Sequence, residues 1–295
     1  MLTAVVLVAG CGGTPESPPD QPSTVDTPTT AAVPEPVPTT TTTSAAPAPP
    51  PVSIRAAVDA AENAIPSGMM LGLAVLNVGT GELVEGPGAR RQFYSASLVK
   101  LIVAVDMFDR AAAEGLVISE SDLRLVDRAL RSSDDGAMNV LWGKFDGRGA
   151  VRRLADRIGL TMTASPGNPS EWGETLVTAA DFVRIYQHIL RHMAPSQRDL
   201  IVATLAGAQQ RATDGFDQYF GLLRQGASPA VYAKQGWVSY RGGRFHLHSA
   251  GVVHDAARGA DYAVALLSIQ ATGSAAARER LSTVAAAVTG GLVVS

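Results

Sequence analysis

The chain has 295 residues, with 24 Lys and Arg against 27 Asp and Glu and a formal net charge of −3. The acids Glu16, Asp20, Asp26 and Glu35 all precede the first basic residue, Arg55, so the remainder carries 24 basic against 23 acidic side chains; so neutral a body gives no electrostatic reason to expect nucleic acid as a partner. One cysteine, Cys11, excludes internal disulfides and multi-Cys zinc centres, and 46% hydrophobic residues supply ample core for one large domain.

Leu2–Gly10 is a short apolar run ending in small residues. It is too short to cross a bilayer, which takes about 20 residues, and suits the apolar and cleavage regions of a secretion signal. Val8-Ala9-Gly10-Cys11 resembles a bacterial lipobox, in which the Cys11 thiol is lipidated and becomes the new N-terminus. No basic n-region precedes the run, so the true start of the leader stays open. Residues 12–51 hold ten Thr and twelve Pro and almost no large apolar side chains. Such a segment cannot offset the entropy of ordering itself, and at about 3.1 Å per residue it acts as an extended tether. The expected organisation is a signal peptide over 1–10, a lipidated Cys11 with a disordered linker over 11–51, and a folded domain over 52–295. The lipid would hold that domain on the outer face of the cytoplasmic membrane, in the cell envelope.

Beyond the tether the periodicity predicts a helix over 54–65, stopped at Pro66-Ser67-Gly68, and a β-hairpin from Met70–Val78 and Glu82–Val84 around Gly79-Thr80-Gly81. Ser97–Glu114 reads as a helix closed by Gly115, followed by helices over 119–131, 136–144 and 148–158. Val177–His192 is another, with Thr178 a plausible N-cap and Pro195 beyond its end. Val231–Val238, Gly243–His254 and Tyr262–Ile269 read as strands, and Ser274–Val288 as a final helix. This order predicts an α+β fold: one antiparallel sheet from both chain ends, flanking helices, and an all-helical subdomain inserted between.

Ser97-Leu98-Val99-Lys100 has the S-x-x-K spacing, which puts hydroxyl and amine on one helix face, with Cβ atoms about 5–6 Å apart. Leu98–Val105 is apolar except for Lys100, and neither Ala96 nor Ala104 offers a charge one turn away. Desolvation there lowers a lysine's pKa, and a neutral amine beside a hydroxyl can activate a serine without histidine. Ser97 also opens the helix, where free backbone N–H groups can stabilise an oxyanion. Only three lysines (Lys100, Lys144, Lys234) stand against 21 arginines, and arginine cannot serve as a base. The tetrapeptide alone is equally compatible with an N-cap serine and a snorkelling lysine.

Taken with two later motifs, the chain resembles the penicillin-recognising serine enzymes, most closely their class A β-lactamase-like branch. Ser133-Asp134-Asp135, followed by Asn139, looks like the second motif, S-D-N, and Lys234-Gln235-Gly236 on a strand looks like the third, K-T-G. The resemblance implies that Ser97 is the acylated nucleophile and Lys100 its general base. Ser133 would relay a proton to the leaving nitrogen, held by Lys234, which would also attract a substrate carboxylate. The N–H groups of Ser97 and Trp237 would form the oxyanion hole, Gly236 would let substrate lie against the strand, and Arg241 or Arg244 would bind a carboxylate. Substrates would be β-lactams or D-amino-acid cell-wall peptides, with no cofactor.

The departures are chemical. Asp135 replaces an amide donor with a carboxylate, which should raise the pKa of Lys100, and Gln235 replaces a short hydroxyl that binds the carboxylate. The segment between Lys100 and Ser133 is short for a lactamase, which shortens the cleft wall. The loop Ser165–Glu174 lacks the Glu-x-x-Leu-Asn pattern that positions a deacylating water, leaving Glu171 as the candidate base. An acyl-enzyme would then form and persist; the alternative is a degenerate member serving as a tethered binding or scaffold protein. His188 with His192, and His246 with His248, have pair spacing for a metal but lack a third ligand nearby, so no metal is expected. Trp142, Trp172 and Trp237 read as core or cleft wall.

Overall fold

The computed structural model describes residues 52–240 and 243–293; the leader, Cys11, the Thr/Pro tether and Arg241 lie outside the described residues. Helix α1 (Ile54–Asn63) starts at Ser53, whose Oγ accepts the Ala56 N–H. Strands β1 (Met69–Asn77) and β2 (Leu83–Glu85) form the expected hairpin, its turn held by Asn77 Oδ1 accepting from the N–H groups of Gly79 and Thr80. A two-residue strand β3 (Phe93–Tyr94) leads into a 3-10 turn, Ala96–Leu98, and then α2 (Val99–Glu114), which ends where Gly115 takes φ 71°. Helix α3 (Glu120–Arg131) is started by a reciprocal capping box between Ser119 and Asp122. Asp134 caps α4 (Asp135–Lys144), and Asp146 caps α5 (Gly147–Ile158). Strand β4 (Leu176–Val177) pairs with β3. Thr178 caps α6 (Ala179–Arg191), as its position suggested, and α7 (Pro195–Ala206) follows. Strands β5 (Val231–Tyr240), β6 (Arg244–Asp255) and β7 (Ala260–Gln270) and helix α8 (Ser274–Leu292) complete the described chain.

The sheet is antiparallel throughout, in the order β2-β1-β7-β6-β5. Strand β1 comes from the N-terminal end yet lies between β2 and β7, so both chain ends build one sheet. That is the α+β arrangement predicted. The two-residue side-chain period sorts each central strand between two cores. Leu71, Leu73 and Val75 join Val264 and Leu266 under α1 and α8. Ala74 and Leu76 join Ala263, Ala265 and Leu267 against the helical region, whose centre is the almost wholly buried first half of α2.

Three differences from the predicted elements bear on the site. Pro195 does not only end α6 but opens α7, because proline is tolerated at the first helical position, where its missing N–H is not needed. Val177 is not helical: it pairs with Phe93, and with the hydrogen bond from Ser95 N–H to the Thr175 carbonyl (2.7 Å) it ties the 161–178 loop to the segment before Ser97. Ser97 itself sits in the tight 3-10 turn ahead of α2, not in the α-helix.

Candidate active site

The turn carrying Ser97 is held in a specific, costly shape. Ala96 has φ +46°, a left-handed conformation unfavourable for any residue but glycine. Strand β5 lies directly against this turn. A Cβ on Gly236 would stand 2.9 Å from the Ser95 carbonyl oxygen and 3.4 Å from Leu98 N. The space over Gly236 is thus taken by the nucleophile's own turn, which corrects the expectation that this glycine leaves room for substrate.

One turn along α2, Lys100 is 1% exposed. Its Nζ lies 2.8 Å from Ser97 Oγ, 2.6 Å from the Ser133 carbonyl, 3.2 Å from Ser133 Oγ and 2.6 Å from Asp135 Oδ1. Ser133 reaches this position with φ +54°, in the corner between α3 and α4. The corner is pinned by Asp134, which caps α4 through the Ala137 N–H and accepts from Arg128 Nε at 2.9 Å. Asp134 is therefore structural, and Asp135, the first residue of α4, is the one that reaches the amine. From β5, fully buried Lys234 donates to Ser133 Oγ (3.0 Å) and to the Gln235 carbonyl (2.9 Å). Ser97, Lys100, Ser133 and Lys234 thus form one continuous hydrogen-bonded array from three separate parts of the chain.

Burial pushes the Lys100 ammonium below its usual range, while the Asp135 carboxylate pulls it back up. Lys234 is driven down well below its usual range, first by burial and then by the charge of Lys100. Asp135 hydrogen-bonds only the first of these amines, though its charge raises both.

The Gln235 carbonyl points out of β5 towards Lys234 Nζ, away from β6. Backbone direction alternates along an antiparallel strand, so two residues on the Trp237 N–H also leaves the free edge of the sheet, on the side of the Ser97 turn. The neighbouring rung is unusual: the Tyr186 hydroxyl sits between the strands, accepting from Lys234 N–H (3.1 Å) and donating to the Ala250 carbonyl (2.6 Å).

A cleft of about 540 Å³ opens over Ser97, lined by Asp135, Asn139, Glu171, Trp172, Glu174, Asp214 and Trp237 among others. Trp172 donates its Nε1–H to Asn139 Oδ1 (2.8 Å), and Trp237 donates to Asp214 Oδ2 (3.0 Å) while stacking on Phe216 with centroids 4.6 Å apart. Two of the expected site residues are placed elsewhere. The Gln235 side chain is buried on the other face of the sheet, its amide donating to the carbonyls of Gln218 and Phe220, because successive residues of a strand face opposite ways. Arg244 is exposed at the start of β6 and does not line the cleft. Glu171 lies on the exposed rim, and among the described residues its carboxylate makes no hydrogen bond to Ser97 or Lys100. Glu174 and Asp214 were not singled out from the sequence: Asp214 sits in the irregular 207–220 stretch, where no periodicity points to a cleft.

The histidine pairs have structural partners. His188 Nε2 lies 2.8 Å from Asp109 Oδ2, and His248 Nε2 lies 2.9 Å from the Tyr94 carbonyl. Burial lowers His246 to about 4 and His248 to about 3, and neither lines the cleft. Among the described residues no group of three or more His, Cys, Asp or Glu is arranged to hold a metal.

Such a fold with such a site defines a class, and the comparisons agree with it. The model of the beta-lactamase enzyme family matches residues 121–292, more than half of the chain, and the chain belongs to that family. A protein of Mycobacterium bovis named "Putative lipoprotein LppW" is 34% identical over 227 residues, covering 76% of this chain and 70% of its own length, and a protein of the same name from Mycobacterium tuberculosis matches to the same extent. Among solved structures, TLA-3 extended-spectrum β-lactamase superposes with a TM-score of 0.66 at 13% identity, over 81% of this chain and 99% of its own. A class A β-lactamase from Bacteroides cellulosilyticus gives 0.65 at 15% identity, over 81% and 96%. At these identities the likeness is one of fold.

Proposed function

We propose that this protein is an envelope-anchored serine acyl-transfer enzyme that acylates Ser97 and releases the acyl group slowly. The observation that carries the reading is the 2.8 Å contact between Ser97 Oγ and Lys100 Nζ at the floor of a cleft, with Ser133 Oγ linking both buried amines. With Lys100 neutral, Ser97 Oγ attacks the substrate carbonyl as its proton passes to Lys100 Nζ. The N–H groups of Ser97 and Trp237 receive the developing oxyanion. Ser133 Oγ then passes a proton to the leaving nitrogen, taking one from the lysine array, and the C–N bond breaks to leave acyl-Ser97. No carboxylate of the 165–174 loop bonds to Ser97 or Lys100, so the water that must cleave the ester lacks a placed base. Substrates are β-lactams or D-amino-acid peptides.

The anchor belongs to the same proposal. The lipobox-like segment ending at Cys11 and the lipoprotein name carried by the mycobacterial relatives both support lipidation at Cys11, with the domain outside the cytoplasmic membrane. Cys11→Ala should move the protein from the detergent phase to the aqueous phase on phase partitioning.

A second reading has its own observation. The 2.6 Å Lys100–Asp135 pair favours the ammonium over the free amine, as suits a member that binds ligands without turning them over. Intact-mass spectrometry after incubation with a fluorescent penicillin and with an uncharged D-alanyl thioester separates the two. An adduct on Ser97, absent in Ser97→Ala, supports acyl transfer; no adduct from either compound after long incubation supports the binding reading.

A further inference from the structure

Among the described residues, every charged side chain lining the cleft is acidic: Asp135, Glu171, Glu174 and Asp214. The two lysines of the site do not present themselves to a ligand. Both lie beneath the floor with almost no exposure, and their amines are engaged by Ser97, Ser133, Asp135 and the Gln235 carbonyl. Of the groups expected to receive a substrate carboxylate, two on β5 and β6 among the described residues are absent from the lining: Gln235 is turned to the opposite face of the sheet, and Arg244 is exposed outside it.

The walls add a second, independent feature. Trp172 and Trp237 are each fixed by a hydrogen bond from the indole N–H, to Asn139 and Asp214. Their rings already lie close to the site's own amines, with Lys100 Nζ 5.0 Å from the Trp172 centroid and Lys234 Nζ 5.9 Å from that of Trp237. A face of each indole is thus already taken by an amine of the site, and the Trp237 ring also stacks on Phe216, so the indoles fix the shape of the opening while the carboxylates set its charge. Asp135 is committed to Lys100 and Asp214 to Trp237, but the ion pairs of the described residues leave Glu171 and Glu174 unengaged on the loop side of the opening.

We propose that this cleft selects amine-bearing ligands: an acyl donor carrying an ammonium group within reach of Glu171 and Glu174, in preference to one carrying a carboxylate. Calling the ligand an acyl donor rests on the function proposed above; the charge preference is a property of the cleft and stands or falls separately. It implies that anionic β-lactams are poor ligands and that a peptide with a free side-chain amine is a better one.

The test uses two peptides differing in one group: Nα-acetyl-Lys-D-Ala-D-Ala amide, which carries an ammonium and no carboxylate, and its Nε-succinylated form, which carries a carboxylate. Both are titrated calorimetrically into full-chain Ser97→Ala protein, so binding is read without acylation. The ammonium peptide should bind at least about ten-fold more tightly at low ionic strength, with the preference shrinking as salt is added. In a Glu171→Gln, Glu174→Gln double variant the preference should fall to about three-fold or less, with stability little changed because Glu171 is exposed, Glu174 is only half-buried and neither belongs to an ion pair of the described residues. Equal or tighter binding of the succinylated peptide, no binding of either at millimolar concentration, or an unchanged preference in the double variant overturns the proposal. Because Ser97→Ala cannot be acylated, a wild-type protein that forms no adduct would defeat the acyl-transfer reading and leave this result to be judged by itself.

Discussion

The Lys100 amine stands 2.6 Å from the Asp135 carboxylate and 2.8 Å from the Ser97 hydroxyl, so carboxylate and nucleophile share the same nitrogen. Burial favours the neutral amine that Ser97 needs, and Asp135 favours the ammonium that cannot take its proton. The side chain of Asp135 is 66% exposed, so water weakens its hold, yet the bond itself is short and direct. On the proposed function, the rate of acylation at neutral pH should therefore depend on Asp135 through its contact with the base.

Replacing Asp135 by Asn should remove that pull and let the Lys100 pKa fall. Acylation at pH 7 should rise, by up to about ten-fold for each unit of fall while the amine is still mostly protonated, and the ascending limb of the rate profile should move to lower pH. The check is the time course of the Ser97 adduct by intact mass, measured across pH 6–10. An unchanged or slower rate in Asp135→Asn would remove Asp135 from the account of acylation.

Gly236→Val should abolish acylation while leaving the protein folded. The first added carbon would lie 2.9 Å from a backbone oxygen of the nucleophile turn, which has no flexible end to give way. Either β5 or the turn must shift, at a cost of about 1–3 kcal/mol. Urea unfolding alongside adduct formation separates lost geometry from lost fold. A variant that acylates normally would mean that the turn and strand are not in contact as described.

Tyr186→Phe should destabilise the domain by about 1–3 kcal/mol, because the lost hydroxyl leaves the Lys234 N–H and the Ala250 carbonyl buried without that partner. The readout is the midpoint of chemical unfolding. A neutral effect would show that β5 and β6 close directly across the gap.

Acid should weaken the fold earlier than carboxylate protonation alone explains. Burial holds His248 at about 3, against an ordinary value of about 6.5 once unfolded. Between those values the unfolded chain binds a proton that the folded one does not, so stability falls as pH drops through that window. Between pH 7 and pH 5 the expected loss from His248 alone is about 2 kcal/mol, with buried His246, lowered to about 4, adding to it. Urea midpoints at the two pH values test this, and in His248→Asn the difference should shrink by most of that amount.

Much of this protein was determined by its sequence alone. The hairpin, most of the helices and the three late strands follow from local periodicity and from Ser, Thr, Asp and Gly punctuation, and the S-x-x-K spacing is enough to bring Ser97 and Lys100 together on adjoining turns. Only tertiary structure could decide the rest, because it depends on which face of a strand or which side of a loop meets another element. A one-residue alternation sends Lys234 into the site and Gln235 to the far core, and the β3–β4 pairing draws Trp172, Glu171 and Glu174 over Ser97. Asp214, in a stretch without periodicity, enters the cleft wall only because Trp237 and Phe216 stack beside it. Local pattern sets an element's type, whereas the charge of a cleft is the sum over segments that meet only when the chain is packed.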